Sequence, residues 1–204
     1  MKIYGDALSG NCQKVRFTAD HLGLTYEWVA ISTLKNESRT PAYLAKFPQG
    51  QVPAIETDDG RCLAQSNAIL RYLARGSHLL PDDPWTQAKI DEWLFWEQYS
   101  HEPYIAVCRF NMVYQGKSKQ AREAWRVERG ERALDLMERE LAGRNWLASS
   151  TMTIADIALL AYTRLAPEGG FDLQDRPNLR EWIARCEEKL GLDALTNDVT
   201  SSSG

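Results

Sequence analysis

The alternation of apolar and polar positions changes rhythm once along the chain, around residues 76–85. Before that point, short extended runs alternate with helical ones. Lys2-Ile3-Tyr4 reads as a strand, and the loop from Gly5 to Gly10 delivers Ser9 to the start of a helix over about 11–22. Val15, Ala19 and Leu22 share one face of that helix, and Gly23 stands where a helix ends. Thr25–Ile31 is rich in aromatic and β-branched residues and predicts a second strand. A short helical stretch follows Pro41. Val52-Pro53-Ala54-Ile55 is then an extended apolar run entered through a proline, which belongs at a strand's first position because its ring removes a ladder donor. Asp58-Asp59-Gly60 marks a hairpin, Arg61–Ala64 the returning strand, and Gln65-Ser66-Asn67 opens a helix backed by Ile69, Leu70 and Leu73. The order is β-α-β-α-β-β-α, ending near Arg75.

Everything beyond the Pro- and Asp-rich linker is expected to be helical. The pattern predicts a helix over 87–114 broken or kinked at Pro103, which deletes an N–H and crowds the preceding turn. A second helix spans about 121–141. Thr153 and Asp156 form a capping box for a third, flanked by Met152 and Ile157 as a hydrophobic staple. A last helix follows Pro177. The predicted division is residues 1–75, a linker at 76–85, an all-helical unit at 86–192 and a polar, frayed tail at 193–204.

Composition narrows the function. The 204 residues carry a net charge of −4, 44% hydrophobic and 25% charged residues, an ordinary globular balance that argues against a nucleic-acid partner. No apolar run approaches membrane-spanning length, and the polar N-terminus lacks a secretory core, so a cytoplasmic protein with no membrane partner is expected. Four cysteines and three histidines are scattered without ligand spacing, and no metal is expected.

Two features carry chemistry. A cis turn at Val52-Pro53 would leave the Val52 N–H and C=O free to pair, strand to strand, with an extended peptide-like ligand. About a dozen residues later, the helix start at Ser66 offers unpaired N–H groups and a hydroxyl to a carboxylate, unless Ser66 is only a cap.

This pairing resembles the glutathione-binding half of the glutathione transferase family, and the likeness extends from Met1 to about Leu192. The resemblance implies a thioredoxin-like N-terminal domain (βαβαββα) followed by an all-α C-terminal domain. It implies a transferase that activates the glutathione thiol as thiolate for attack on a small hydrophobic electrophile, with disulfide or peroxide reduction as a variant, in a detoxifying role. Glutathione would be its substrate and a homodimer its form. By resemblance Ser9, Asn11, Gln51, Val52, Pro53, Gln65 and Ser66 bind glutathione; Gln65 stands where an acidic residue is commoner. The Ser9-x-Asn11-x-x-Lys14 pattern is similar to that of bacterial nu-type members, in which the hydroxyl and the Asn both face the sulfur. Tyr104, Arg109 and Phe110 are the candidates for the electrophile pocket, or else core side chains at helical spacing. Trp93 and Trp96 are candidates for core or dimer interface, with core favoured.

Other readings stay open. Ser9 and Asn11 also suit helix capping. Cys12 is a rival nucleophile, since a thiol in a helix's first turn can have a depressed pKa, although beta-type members carry their cysteine where this chain has Gly10. A catalytically silent protein-binding adaptor on the same fold, like stringent-starvation or elongation-factor relatives, is the alternative function. A glutathione-dependent dehalogenase or isomerase is a third.

Overall fold

The computed structural model describes residues 1–194; most of the polar tail expected at 193–204 lies outside them. Strands β1 (Lys2–Gly5), β2 (Glu27–Ala30), β3 (Ala54–Glu56) and β4 (Cys62–Ala64) form one sheet in the order β2-β1-β3-β4. β1 runs parallel to β2, while β1–β3 and β3–β4 are antiparallel. Residues Ile3 and Ile55 face each other in register and are fully buried. They pack with Val15 and Ala19 of α1 (Gly10–His21) and Ile69 and Leu70 of α3 (Ser66–Ala74). Because successive strand side chains alternate faces, Tyr4 and Ala54 point the other way, into a smaller cluster with Tyr43 and Phe47 around α2 (Pro41–Lys46).

The link to the helical half is pinned down. Leu79 and Leu80 are buried, and the Leu79 carbonyl accepts from Ile154 N–H at 3.0 Å. Helix α4 (Pro84–Trp96) begins with Asp83 accepting from the Thr86 N–H at 2.8 Å and Pro84 in the first turn, where its missing N–H costs nothing. Of the two outcomes expected at Pro103, a kink or a break, the break does not occur: the helix is continuous but locally distorted. The backbone widens into a π-helical turn over Glu97–His101 and continues as α5 (Glu102–Arg109), with Pro103 in the first turn of the new segment. Widening absorbs the donor that proline lacks without ending the helix, and it turns Glu97 and His101 inward.

Helices α6 (Ala124–Glu140), α7 (Ile154–Thr163) and α8 (Pro177–Leu190) follow among the described residues. α7 is buried along its whole length. Its capping box is present: Thr153 Oγ1 accepts from the Ala155 N–H and the Asp156 carboxylate accepts from the Thr153 N–H at 2.9 Å. Asp156 also accepts from Leu147 N–H and from Trp182 Nε1, each at 3.0 Å, so one side chain joins a cap, a loop and α8.

The Lys14–Glu97 pair clamps the two halves together. Nζ lies 2.8 Å from Oε1 and both side chains are fully buried. Glu97 Oε2 also accepts from Asn67 Nδ2 at 3.1 Å and Gln98 Nε2 at 2.8 Å. Burial raises the pKa of the Glu97 carboxyl, but Lys14 and the hydrogen bonds outweigh it and hold the group below the usual range. Removing one partner strands the other charge in the interior, so Lys14→Met should destabilise by about 3–5 kcal/mol in urea unfolding. Lys14→Met combined with Glu97→Leu should recover most of that loss. A single substitution as mild as the double would show that the pair is not the clamp.

Candidate functional site

Helix α1 starts where β1 ends, and Ser9 is its N-cap, with extended backbone and no side-chain capping bond. Its hydroxyl lies against the Cys12 thiol and the Tyr162 hydroxyl instead. Asn11 does not cap either. Its Nδ2 donates to Glu102 Oε1 at 3.0 Å, and its Oδ1 accepts from Ser66 Oγ at 3.0 Å. The starts of α1 and α3 are therefore tied to each other and to α5 through one amide.

The Val52–Pro53 peptide is cis. The Gln51 carbonyl accepts from the Tyr43 hydroxyl at 2.7 Å, which braces the turn from below. Gln65 adopts φ 74, a left-handed setting that costs a non-glycine residue on the order of 1–3 kcal/mol and clusters at ligand sites. Its Nε2 donates to Gln49 Oε1 at 2.6 Å and Gln51 Oε1 at 3.3 Å. With Gln65 as the cap residue, Ser66 is the first helical residue, so its buried hydroxyl serves Asn11 and not the helix end.

Ser9, Asn11, Gln51, Val52, Pro53, Gln65 and Ser66 line one cleft of about 450 Å³, together with Asp6, Arg39, Gln98, Glu102, Ala106, Arg109, Phe110, Tyr114 and Tyr162. Glu102, Ala106 and Arg109 fall at i, i+4 and i+7 on one face of α5. Arg109 is buried: Nε donates to Glu168 at 2.6 Å and a terminal nitrogen to the Leu8 carbonyl at 3.0 Å. The Tyr114 hydroxyl donates to the same carbonyl at 2.9 Å, so the loop that carries Ser9 is strapped to the helical wall. Phe110 stacks on Tyr114 at 5.3 Å.

Tyr104 is not in the cleft, contrary to expectation. Two residues beyond Glu102 it points about 200° round the helix, and it packs edge-on against Trp125 while its hydroxyl accepts from Arg129. Trp93 is buried, its Nε1 donating to the Leu147 carbonyl at 3.2 Å, with Trp96 edge-on beside it. The exposed aromatics of α4 and the turn after it are instead Trp85, near the helix start, and Phe95 and Tyr99, 76% and 81% accessible.

Arg39, Gln98, Glu102, Tyr114 and Tyr162 were missed in the sequence. Glu102 and Gln98 had a signal in their helical spacing from Arg109, but Tyr162 sits in an apolar helix indistinguishable from core. Gly10 is explained by it: a Cβ there would lie 2.6 Å from the Tyr162 ring. Position 10 therefore has no room for a side chain.

The electrostatics separate the thiols. Burial pushes the Cys12 thiol up to about 11, against the opposing hydrogen bonds from the Asp6 N–H and the Ser9 hydroxyl. Burial also raises Glu102 and Tyr162. Among the described residues no group of three or more His, Cys, Asp or Glu could hold a metal, and no helix is long and apolar enough to cross a membrane. All four cysteines are free, and only Cys62 is exposed. A chromogenic disulfide reagent at pH 8 should therefore titrate one thiol in the folded protein and four after unfolding, with the folded signal abolished by Cys62→Ser. A fast second thiol lost in Cys12→Ser would restore Cys12 as a nucleophile.

Comparison with known proteins agrees along the chain. Residues 8–75 match the family model "Glutathione S-transferase, N-terminal domain" and residues 95–189 the model "Glutathione S-transferase, C-terminal domain". The chain is similar to a crystal structure of a glutathione S-transferase from Pseudomonas fluorescens, with 47% identity, 91% of this chain and 94% of that one covered, and a TM-score of 0.88. A Fusarium glutathione S-transferase-like protein, LUC7, is 34% identical over 76% of this chain and 73% of its own length. Rat elongation factor 1-gamma is 32% identical over 79% of this chain, which spans 38% of that protein.

Proposed function

The chain belongs to the glutathione S-transferase family, and from that premise we propose that the cleft binds glutathione and ionises its thiol for attack on a small electrophile or a disulfide. The single observation that carries this reading is the convergence of the cis Val52–Pro53 turn, the Ser66 helix start and the Ser9–Asn11 helix start on one cleft. The Val52 backbone pairs with the cysteinyl unit, and the unpaired backbone N–H groups at the α3 start, that of Ser66 among them, take the γ-glutamyl carboxylate while the Ser66 hydroxyl holds Asn11. Gln65 and Gln51 border that end, and Arg39 on the rim offers a charge to the glycyl carboxylate. The sulfur then lies over the α1 start, facing the Ser9 hydroxyl and an N–H of Asn11. The thiol proton leaves to solvent, and the thiolate attacks a substrate held against Ala106, Phe110 and Tyr114.

The energetics are sufficient. Lowering a thiol by two pKa units requires about 2.7 kcal/mol of preference for the thiolate. One or two hydrogen bonds to a charged sulfur contribute about 1.5–3 kcal/mol each. A cytoplasmic setting fits the four free thiols. A second reading, a protein-binding module without catalysis, is favoured by the identity with elongation factor 1-gamma.

Calorimetry decides between them: the enzyme reading requires glutathione binding, weakened about 2–10-fold by Ser66→Ala, which frees Asn11 from the α3 start. Thiolate absorbance of the complex against pH should then shift upward in Ser9→Ala and Asn11→Ala, with the double variant shifting less than the sum where water replaces a lost donor. Absence of binding by the wild type would leave the adaptor reading.

The homodimer is proposed on Phe95 and Tyr99, one turn apart and both exposed. An isologous contact needs a self-complementary apolar patch, and two aromatics on one helix face provide its centre. Phe95→Glu should raise the dimer dissociation constant by about 30-fold or more in sedimentation experiments. Unchanged association would move the interface elsewhere.

A further inference from the structure

The Asn11 amide has two ends of the same shape and opposite chemistry, and something must decide which end faces which neighbour. Ser66 cannot decide, because a hydroxyl both donates and accepts. Glu102 can, because an ionised carboxylate only accepts. It is half-buried, it reaches from α5 across the interface between the two halves, and its Oε1 stands 3.0 Å from Asn11 Nδ2. We propose that Glu102 is a positioning residue of the thiol site, which fixes the donor–acceptor sense of the Asn11 amide and, through it, the Ser66 hydroxyl.

The consequence follows from counting protons. With Nδ2 turned to Glu102, one of its two N–H groups is engaged and the other remains available to the cleft that Asn11 lines. Oδ1 is then directed to Ser66 Oγ at 3.0 Å, away from the place a thiolate would occupy. Without the carboxylate, the amide is free to invert and present its oxygen, an acceptor that repels a thiolate. The charged and titratable groups facing Glu102 are Lys14 from α1, Glu97 from the π turn and Tyr162 from α7. Burial and Glu97 raise the Glu102 carboxyl, while Lys14 and the Asn11 bond oppose them.

This inference rests on the glutathione-site reading, and the sign of one shift tests it. Were Glu102 only a nearby negative charge, deleting it would lower the thiol pKa of bound glutathione. Acting through Asn11, its deletion raises that pKa. Glu102→Leu should therefore shift the thiolate absorbance titration upward by about one pH unit, and the shift should vanish when Asn11→Ala is already present. Glu102→Gln, whose amide donates as well as accepts, no longer selects one end of Asn11, so it too should titrate above the wild type. No shift or a downward shift in Glu102→Leu would overturn the proposal. The ligand-free wild-type protein gives an independent readout that needs neither binding nor a variant: the Asn11 side-chain amide resonances should move with pH as the Glu102 carboxyl titrates. A silent amide would overturn the contact even if glutathione binds. Absence of glutathione binding with a responsive amide would instead count against the site reading alone.

Discussion

The buried Lys14–Glu97 pair is the constraint on which the rest of the arrangement depends. Two fully buried charges are tolerable only with close geometry and their remaining hydrogen-bonding capacity met, and Asn67 and Gln98 meet that of Glu97. The pair fixes α1 against the long helix of the second half in one register. One turn earlier on α1 from Lys14 stands Asn11; five residues after Glu97 stands Glu102. A π turn brings residues five apart onto one side of a helix, so the two contacts, Lys14–Glu97 and Asn11–Glu102, stack as rungs between the same two helices. The Pro103 irregularity is thus what lets a second acidic residue reach the start of α1.

The legible parts of the chain were those whose chemistry is local. A proline at a strand entrance, an Asp-Asp-Gly hairpin, a Gln-Ser helix start and a Thr-x-x-Asp capping box each state their structure within a few residues. That was enough to foresee the four-stranded sheet, the helical second half and the segments that meet at the cleft. Illegible were the partners across the interface. Lys14 and Glu97 are 83 positions apart, and Asn11 and Glu102 are 91 apart; single-chain periodicity carries no information about such pairs. The same blindness put Tyr104 in the cleft, because aromatic character was visible and the helix's rotational phase beyond Pro103 was not.

Backbone alternation explains why the hydroxyl group at this site comes from Ser9 and not from the strand tyrosine. Ile3 faces the main core, so Tyr4 must face away, into the cluster with Tyr43 and Phe47. Its hydroxyl donates to Glu56 at 2.6 Å, with Lys46 beside it, and burial together with that carboxylate raises its pKa. A tyrosine committed to a carboxylate on the outer face has no proton to offer the cleft. Gly5 then ends the strand, and the loop to Ser9 is strapped by Arg109 and Tyr114. The next hydroxyl along the chain therefore arrives at the α1 N-terminus, where the helix field favours negative charge. Tyr162, kept protonated by burial, lies behind it. Cys12, three residues further, shares the helix field but not the exposure, and desolvation outweighs the field. The turn thus favours an anion on its solvent side and disfavours one on its buried side, which suits a site that ionises a visiting thiol while leaving its own intact.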